Sequence, residues 1–229
     1  MTLPRQSATA NHLGDDVTGH LPDPRTVPGT AGFRPEDVAV WELAVEHLHV
    51  RSNDVHTAYS YGLASALCDL HADADRDVVL PAIILHDTGW SRVPEHEVLE
   101  AIRPGGGRHD LVVRHEKEGA EIAAGILARL GREPAHVAEV VDIIDGHDTR
   151  LTALSLNDAL MKDADKLWRL TPNGVDTVMD WFGLTREQAH VLIGGRVHDH
   201  LFTDAARTMA RALAAVATID SAPERVALG

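Results

Sequence analysis

From Pro35 onward, apolar residues recur at three- and four-residue intervals, the spacing of one helix face. Val38, Trp41, Leu43, Val45 and Leu48 predict one amphipathic helix, and Asn53 or Asp54 is placed to cap a second that runs through about Leu70. Asp73 to Asp77 reads as a polar turn. The run from Val78 to Leu85 is β-branched enough for a strand, yet no neighbouring segment alternates as a partner strand would; it reads as a buried helix with Gly89 as its stop signal. Residues 91–111 carry Pro94, Pro104 and Gly105-Gly106-Gly107, an irregular loop with a short helix over Glu95–Ile102. Two strong stripes follow, Ile122 to Leu130 ended by Gly131, and Val137 to Ile144 ended near Gly146. Leu151–Leu170 is a further helix or helix pair, which Pro172 breaks; Val175–Phe182, Arg186–Ile193 and Thr203–Val216 complete an all-α domain of roughly eight to ten helices over residues 35–219. Residues 1–34, proline- and glycine-rich without apolar period, read as a flexible leader in which His12 and His20 are solvated, and 220–229 as a loose tail.

Composition narrows the partners. A chain of 229 residues suits a single catalytic domain. With 21 basic against 35 acidic residues its formal net charge is −14, which opposes binding to a nucleic acid polymer or an anionic membrane and leaves a small molecule as the expected partner. No apolar stretch approaches a membrane span or the core of a secretory signal, so the cytoplasm is the expected location. The single cysteine, Cys68, lies in the aliphatic run of Leu63, Ala64 and Leu67 and reads as a core thiol. The triple glycine is no phosphate loop, because neither Lys-Ser nor Lys-Thr follows it. Oligomeric state is not legible.

The chemistry lies in the 15 histidines, and the informative ones sit where apolar helices begin or stop, because a buried imidazole needs a partner or a metal. His86 and Asp87 arrive together as the 78–85 run ends. His115 opens the helix of the Ile122 stripe, His147 with Asp148 follows Gly146, and His56 starts the Cys68 helix. In Met161-Lys162-Asp163-Ala164-Asp165-Lys166-Leu167, two carboxylates border a buried face. His47 and His49 point apart on one helix. Arg196 to His200 holds a second His-Asp pair that reads as a surface turn at a pocket mouth, and His71, His96, His109, His136 and His190 read as surface residues. Trp41, Trp90, Trp168 and Trp181 read as core or pocket wall.

Taken in order, His56, His86-Asp87, His115, His147 and Asp165 resemble the ligand series of the HD-domain superfamily of metal-dependent enzymes, over about Glu36 to Leu213. The segments ILHDTG, RHEKEGAEIAAGIL, IIDGHD, LMKDADKLWRL and LFTDAARTMARAL are each similar to family segments. The resemblance implies an HD-type helical bundle with one metal held by His56, His86, Asp87 and Asp165 and a second by Asp87, His115 and His147, with Asp87 bridging. Asp163 is the rival for the last position, but the family sets its carboxylate between alanine and a basic residue, as in Ala164-Asp165-Lys166. Two divalent transition-metal ions are implied, iron or manganese first, with zinc, nickel or cobalt also suited to the donors.

Three functions follow from the resemblance. In a phosphohydrolase, water activated between the ions, with Asp87 as bridge, would attack a small phosphate ester or nucleotide. Lys166 and Arg150 are then the foremost phosphate contacts, ahead of Lys117, Lys162 and Arg169. Many HD hydrolases carry lysine three residues after the signature aspartate, where this chain has Trp90. The alternative is a mixed-valent di-iron oxygenase acting on a small polyol or phosphonate. The phosphonate oxygenases have a tyrosine before their first histidine, where this chain has Glu42, Glu46, His47 and His49. The third is a metal-stabilised binding module without catalysis.

Overall fold

The computed structural model describes residues 32–220 and, before them, Gly14, residues 16–23, Thr26, Val27 and Gly29. Residues 1–32 form a unit of their own, whose described part includes the 3-10 turn Thr18–His20, where Asp16 accepts from the Thr18 N–H at 2.9 Å. His20 is exposed; His12 and most of the expected leader lie outside the described residues, as does the tail after Asp220.

The second unit starts at Phe33, ahead of the expected Pro35. Phe33 stacks on Trp41 and meets Tyr61 at a tilt, at 4.8 and 4.4 Å between ring centroids, and the Arg34 backbone N–H donates to the Tyr61 hydroxyl at 2.9 Å. Ten α-helices follow among the described residues, with no strand: α1 (Pro35–Ala44), α2 (Asn53–Asp69), α3 (Arg76–Leu85), α4 (Glu95–Ile102), α5 (His109–Arg129), α6 (Pro134–Ile144), α7 (Leu156–Trp168), α8 (Pro172–Phe182), α9 (Arg186–Val197) and α10 (Asp204–Asp220).

Helix α3 is the axis of the bundle. Every residue from Val78 to Leu85 is buried, because α1, α2, α5, α6 and α7 surround it; an all-round apolar helix is stable only in such a place. Cys68 is buried in the same core, and burial pushes its thiol up to about 11. Polar caps fix the helix starts. The Asp75 carboxylate accepts from the Asp77 N–H at 2.8 Å, Ser155 caps α7, and Thr185 with Gln188 forms a capping box on α9.

Several boundaries differ from the pattern. The first helix ends at Ala44 and gives way to a 3-10 turn, Val45–His47, so Val40, Ala44 and Leu48 are buried while Val38 is exposed. Neither Asn53 nor Asp54 caps α2: Ser52 stands at the cap in left-handed backbone without a side-chain bond. Helix α5 begins at His109, so His115 lies well inside it. Leu151 and Leu154 are exposed, and α7 starts only at Leu156.

Gly89 is not a helix stop. It lies in a 3-10 turn, Thr88–Arg92, and a Cβ there would fall 1.9 Å from the His115 carbonyl oxygen and 2.5 Å from the Gly119 nitrogen. A Cβ on Gly119 would in turn meet the His86 oxygen at 3.1 Å. Glycine against glycine lets the end of α3 lie directly on α5. Trp90 and Val93 seal the contact with Val98, Ala101 and Leu111 in a small second core. No helix among the described residues is long and apolar enough to cross a membrane.

Candidate metal centre

The six donors expected from the sequence meet at the middle of the bundle. His56 projects from the first turn of α2, His86 closes α3, and Asp87 follows where the helix ends. His115 comes from α5, His147 from the turn after α6, and Asp165 from α7. The turn that carries His147 needs Gly146, whose φ of 111° few side chains tolerate.

The donor atoms fall into two sets. In the first, His56 Nε2 lies 3.1 Å from His86 Nε2 and 3.3 Å from Asp165 Oδ1, and both imidazoles lie 3.6 Å from Asp87 Oδ2. In the second, His115 Nε2 and His147 Nε2 are 3.4 Å apart and each lies 3.7 Å from Asp87 Oδ1. Ligands held ~2.1 Å from one tetrahedral ion sit about 3.4 Å from each other, so both sets have the spacing of a coordination shell. Asp87 presents one oxygen to each.

Hydrogen bonding fixes which imidazole nitrogen is available. His86 Nδ1 donates to the Ile83 carbonyl at 2.8 Å and His147 Nδ1 to the Ile144 carbonyl at 2.9 Å, leaving both Nε2 atoms pointed into the cluster. Ring nitrogens and carboxylate oxygens converging at such distances in a buried site call for positive charge among them, from protons or a bound cation. The electrostatics agree. Burial would raise the Asp87 carboxyl, but the charge of His86 and a hydrogen bond from His147 hold it far below the ordinary carboxylate range. Asp165 is held low against the same burial by the charge of Arg169 and by hydrogen bonds from His56 and His86. Burial, and then the charge of His147, push His115 down to about 4; in His147 burial is outweighed by Asp148 and Asp87, which lift it to about 9. Imidazole with carboxylate suits a divalent transition metal.

Three neighbours have contacts with the cluster that the sequence reading did not assign to them. Asp148 Oδ2 lies 3.7 Å from His115 Nε2 and 3.9 Å from His147 Nε2, a carboxylate at the edge of the second set. Glu116, buried, accepts from the backbone N–H groups of Asp148 and Thr149 and from the Thr149 hydroxyl, all at 2.8 Å, and so fixes the His147 turn to α5. Trp90 is buried, in keeping with core or pocket wall, and does more: its indole lies flat on His115, 3.9 Å between centroids, and its N–H donates to Asp87 Oδ1 at 3.1 Å. Adjacency to the ligands marked Asp148 and Glu116 in the sequence; nothing local marked the stacking.

Asp163 and Asp165 point to different places. Asp163 accepts from the backbone of Phe202 and Thr203 and from the Thr203 hydroxyl at 2.8–3.0 Å, which anchors the segment entering α10 and leaves the cluster to Asp165. The expected cations also divide. Lys166 and Arg169 border a cavity of about 600 Å³ that opens beside His147, Asp148 and Asp165, and Arg169 Nη1 reaches Asp165 Oδ2 at 3.3 Å. Arg150 also stands at that wall, but its guanidinium caps α6, donating to the carbonyls of Asp145 and Asp142 at 2.8 and 2.9 Å. Lys162 is buried in an ion pair with Asp158 at 3.2 Å, and Lys117 lies on the surface near Asp145. Asp199 and His200 line the cavity mouth, as their surface turn suggested. His71 and His190, expected on the surface, turn Nε2 inward.

Set against families of known proteins, the chain matches the HD domain over residues 54–170, just over half its length and the span that contains every donor of both sets. It belongs to the HD-domain family. No curated protein and no solved structure matches it. As an HD domain it falls in a superfamily of metal-dependent phosphohydrolase type, and its histidine and aspartate groups have the chemistry and spacing to hold metal.

Proposed function

We propose that this HD-domain chain is a phosphohydrolase that holds two divalent transition-metal ions and acts on a small phosphate ester or nucleotide. The observation that carries the reading is the cavity beside the donors: in a chain of net charge −14, its walls bring Lys166, Arg169 and Arg196 together with Trp181, Phe182 and Phe202. A local basic pocket in an acidic protein selects an anion, and its aromatic wall suits an attached organic group. Ions held by the two sets would supply an activated water and neutralise charge on the phosphoryl group.

The chain's own residues set the geometry. Asp87, fixed by the Trp90 N–H, joins the two sets. Arg169, paired with Asp165, and Lys166, whose ammonium donates to the Lys162 carbonyl at 3.3 Å, present positive charge on the side where the phosphoryl oxygens would enter. The test is phosphate release from a panel of phosphomonoesters and nucleotides by protein loaded with manganese or iron, alongside the Asp87→Ala variant. Release by the parent and not the variant is expected. Dioxygen consumption with the iron form, without phosphate release, would overturn the reading in favour of oxygenation.

A further inference from the structure

Among the described residues only two that are not glycine have positive φ, and they are adjacent: Arg51 (φ 52°, ψ 36°) and Ser52 (φ 60°, ψ 33°). Left-handed backbone is unfavourable for any residue with a Cβ, and two in succession persist only where the surroundings hold them. They stand immediately before α2, the helix that carries His56.

The strained pair aims a cation. The Arg51 guanidinium carbon lies 4.1 Å from the centroid of Trp181, whose ring walls the cavity. Its Nε is buried without a hydrogen-bond partner, and among the described residues its other nitrogens are held by no hydrogen bond or ion pair. Burial draws the group down to about 10, against the attraction of Asp87 and Glu95, so it stays charged at neutral pH. The charge of Arg169, whose own guanidinium reaches Asp165, disfavours the charge on Arg51. Arg150 also has an unpartnered Nε, but its terminal nitrogens are spent on α6 carbonyls. In Arg51 no such bond engages the guanidinium among the described residues, and its resting place is the Trp181 ring that walls the cavity.

We infer that Arg51 is an anion-binding residue of this site, receiving phosphoryl oxygens of the substrate together with Arg169 while resting on Trp181, and that the left-handed pair is kept to aim it. The inference deepens the phosphohydrolase reading by naming the group that grips the anion. It requires only an anionic substrate, not hydrolysis.

The test uses the full chain loaded with manganese and inorganic phosphate as probe, followed by calorimetry, with metal content and melting temperature measured for each variant. Arg51→Met is expected to bind phosphate at least about tenfold more weakly at unchanged metal content, and Arg51→Lys to fall between it and the parent. Arg51→Gly separates aim from architecture: it is expected to lose phosphate affinity as Arg51→Met does yet melt no lower than the parent, because glycine relaxes the backbone. Phosphate affinity within twofold of the parent in Arg51→Met, a parent that binds no phosphate, or an Arg51→Gly variant that melts lower with affinity intact would each overturn the inference. If affinity depends on Arg51 but no ester is hydrolysed, the anion site stands and the hydrolase reading falls. If parent and Arg51→Met turn over esters equally, the hydrolase reading stands and the role of Arg51 falls.

Discussion

The two halves of the centre are built from similar donors but differ in enclosure. The first set rests on α2, α3 and α7, and its outer carboxylate, Asp165, leaves only 6% of its side chain exposed. The second rests on α5 and the turn after α6, and its outer carboxylate, Asp148, is 31% exposed at the cavity. Helix-borne, enclosed ligands hold an ion in one arrangement; a half ending in a turn beside open volume leaves room for water or substrate. The first half should therefore retain metal, and the second exchange it.

The comparison can be broken most severely at the shared residue. Asp87→Ala should lose metal from both halves and abolish turnover, as elemental analysis and a phosphate-release assay would show; retention of one tightly held ion would mean that the halves are independent. Asp163→Ala tests whether the enclosed half is upheld by the fold around it. Three donors lose their acceptor, so stability should fall by about 2–4 kcal/mol and the melting temperature by about 5–15 °C, with metal content unchanged. Asp148→Asn addresses the open half alone: one ion should dissociate about 10–100-fold more readily in a chelator titration, while the chelator-resistant ion stays. Trp90→Phe keeps the stacking on His115 and removes the N–H to Asp87, which should weaken the same labile ion about tenfold. The smallest effect is expected of Ser52→Gly, which relaxes the left-handed entry to α2 and should stabilise the protein by about 1 kcal/mol without changing metal content.

The helices and the donor series were legible because each depends on local pattern: apolar spacing marks α3, α5 and α6, and His86-Asp87 stands out where an apolar run stops. What failed depends on direction through space. Arg150, Lys162 and Lys166 all lie within three residues of a ligand, yet one guanidinium turns back on a helix end and one ammonium is drawn into an ion pair. Asp163 and Asp165 have equal claims by residue type; the family pattern favours Asp165, and the Phe202–Thr203 backbone gives Asp163 a different role that no local pattern announces. Arg51 carries no signal at all, because its importance lies in a backbone conformation that arginine does not favour.

The aromatic surroundings of the two halves have a practical consequence. Trp90 lies flat on His115 of the open half, while Trp168 meets His56 of the enclosed half edge-on at 4.4 Å. Each half thus carries its own native fluorophore in contact with a ligand. Emission from single-tryptophan variants should report the filling of the two halves separately and in real time, with no dye attached.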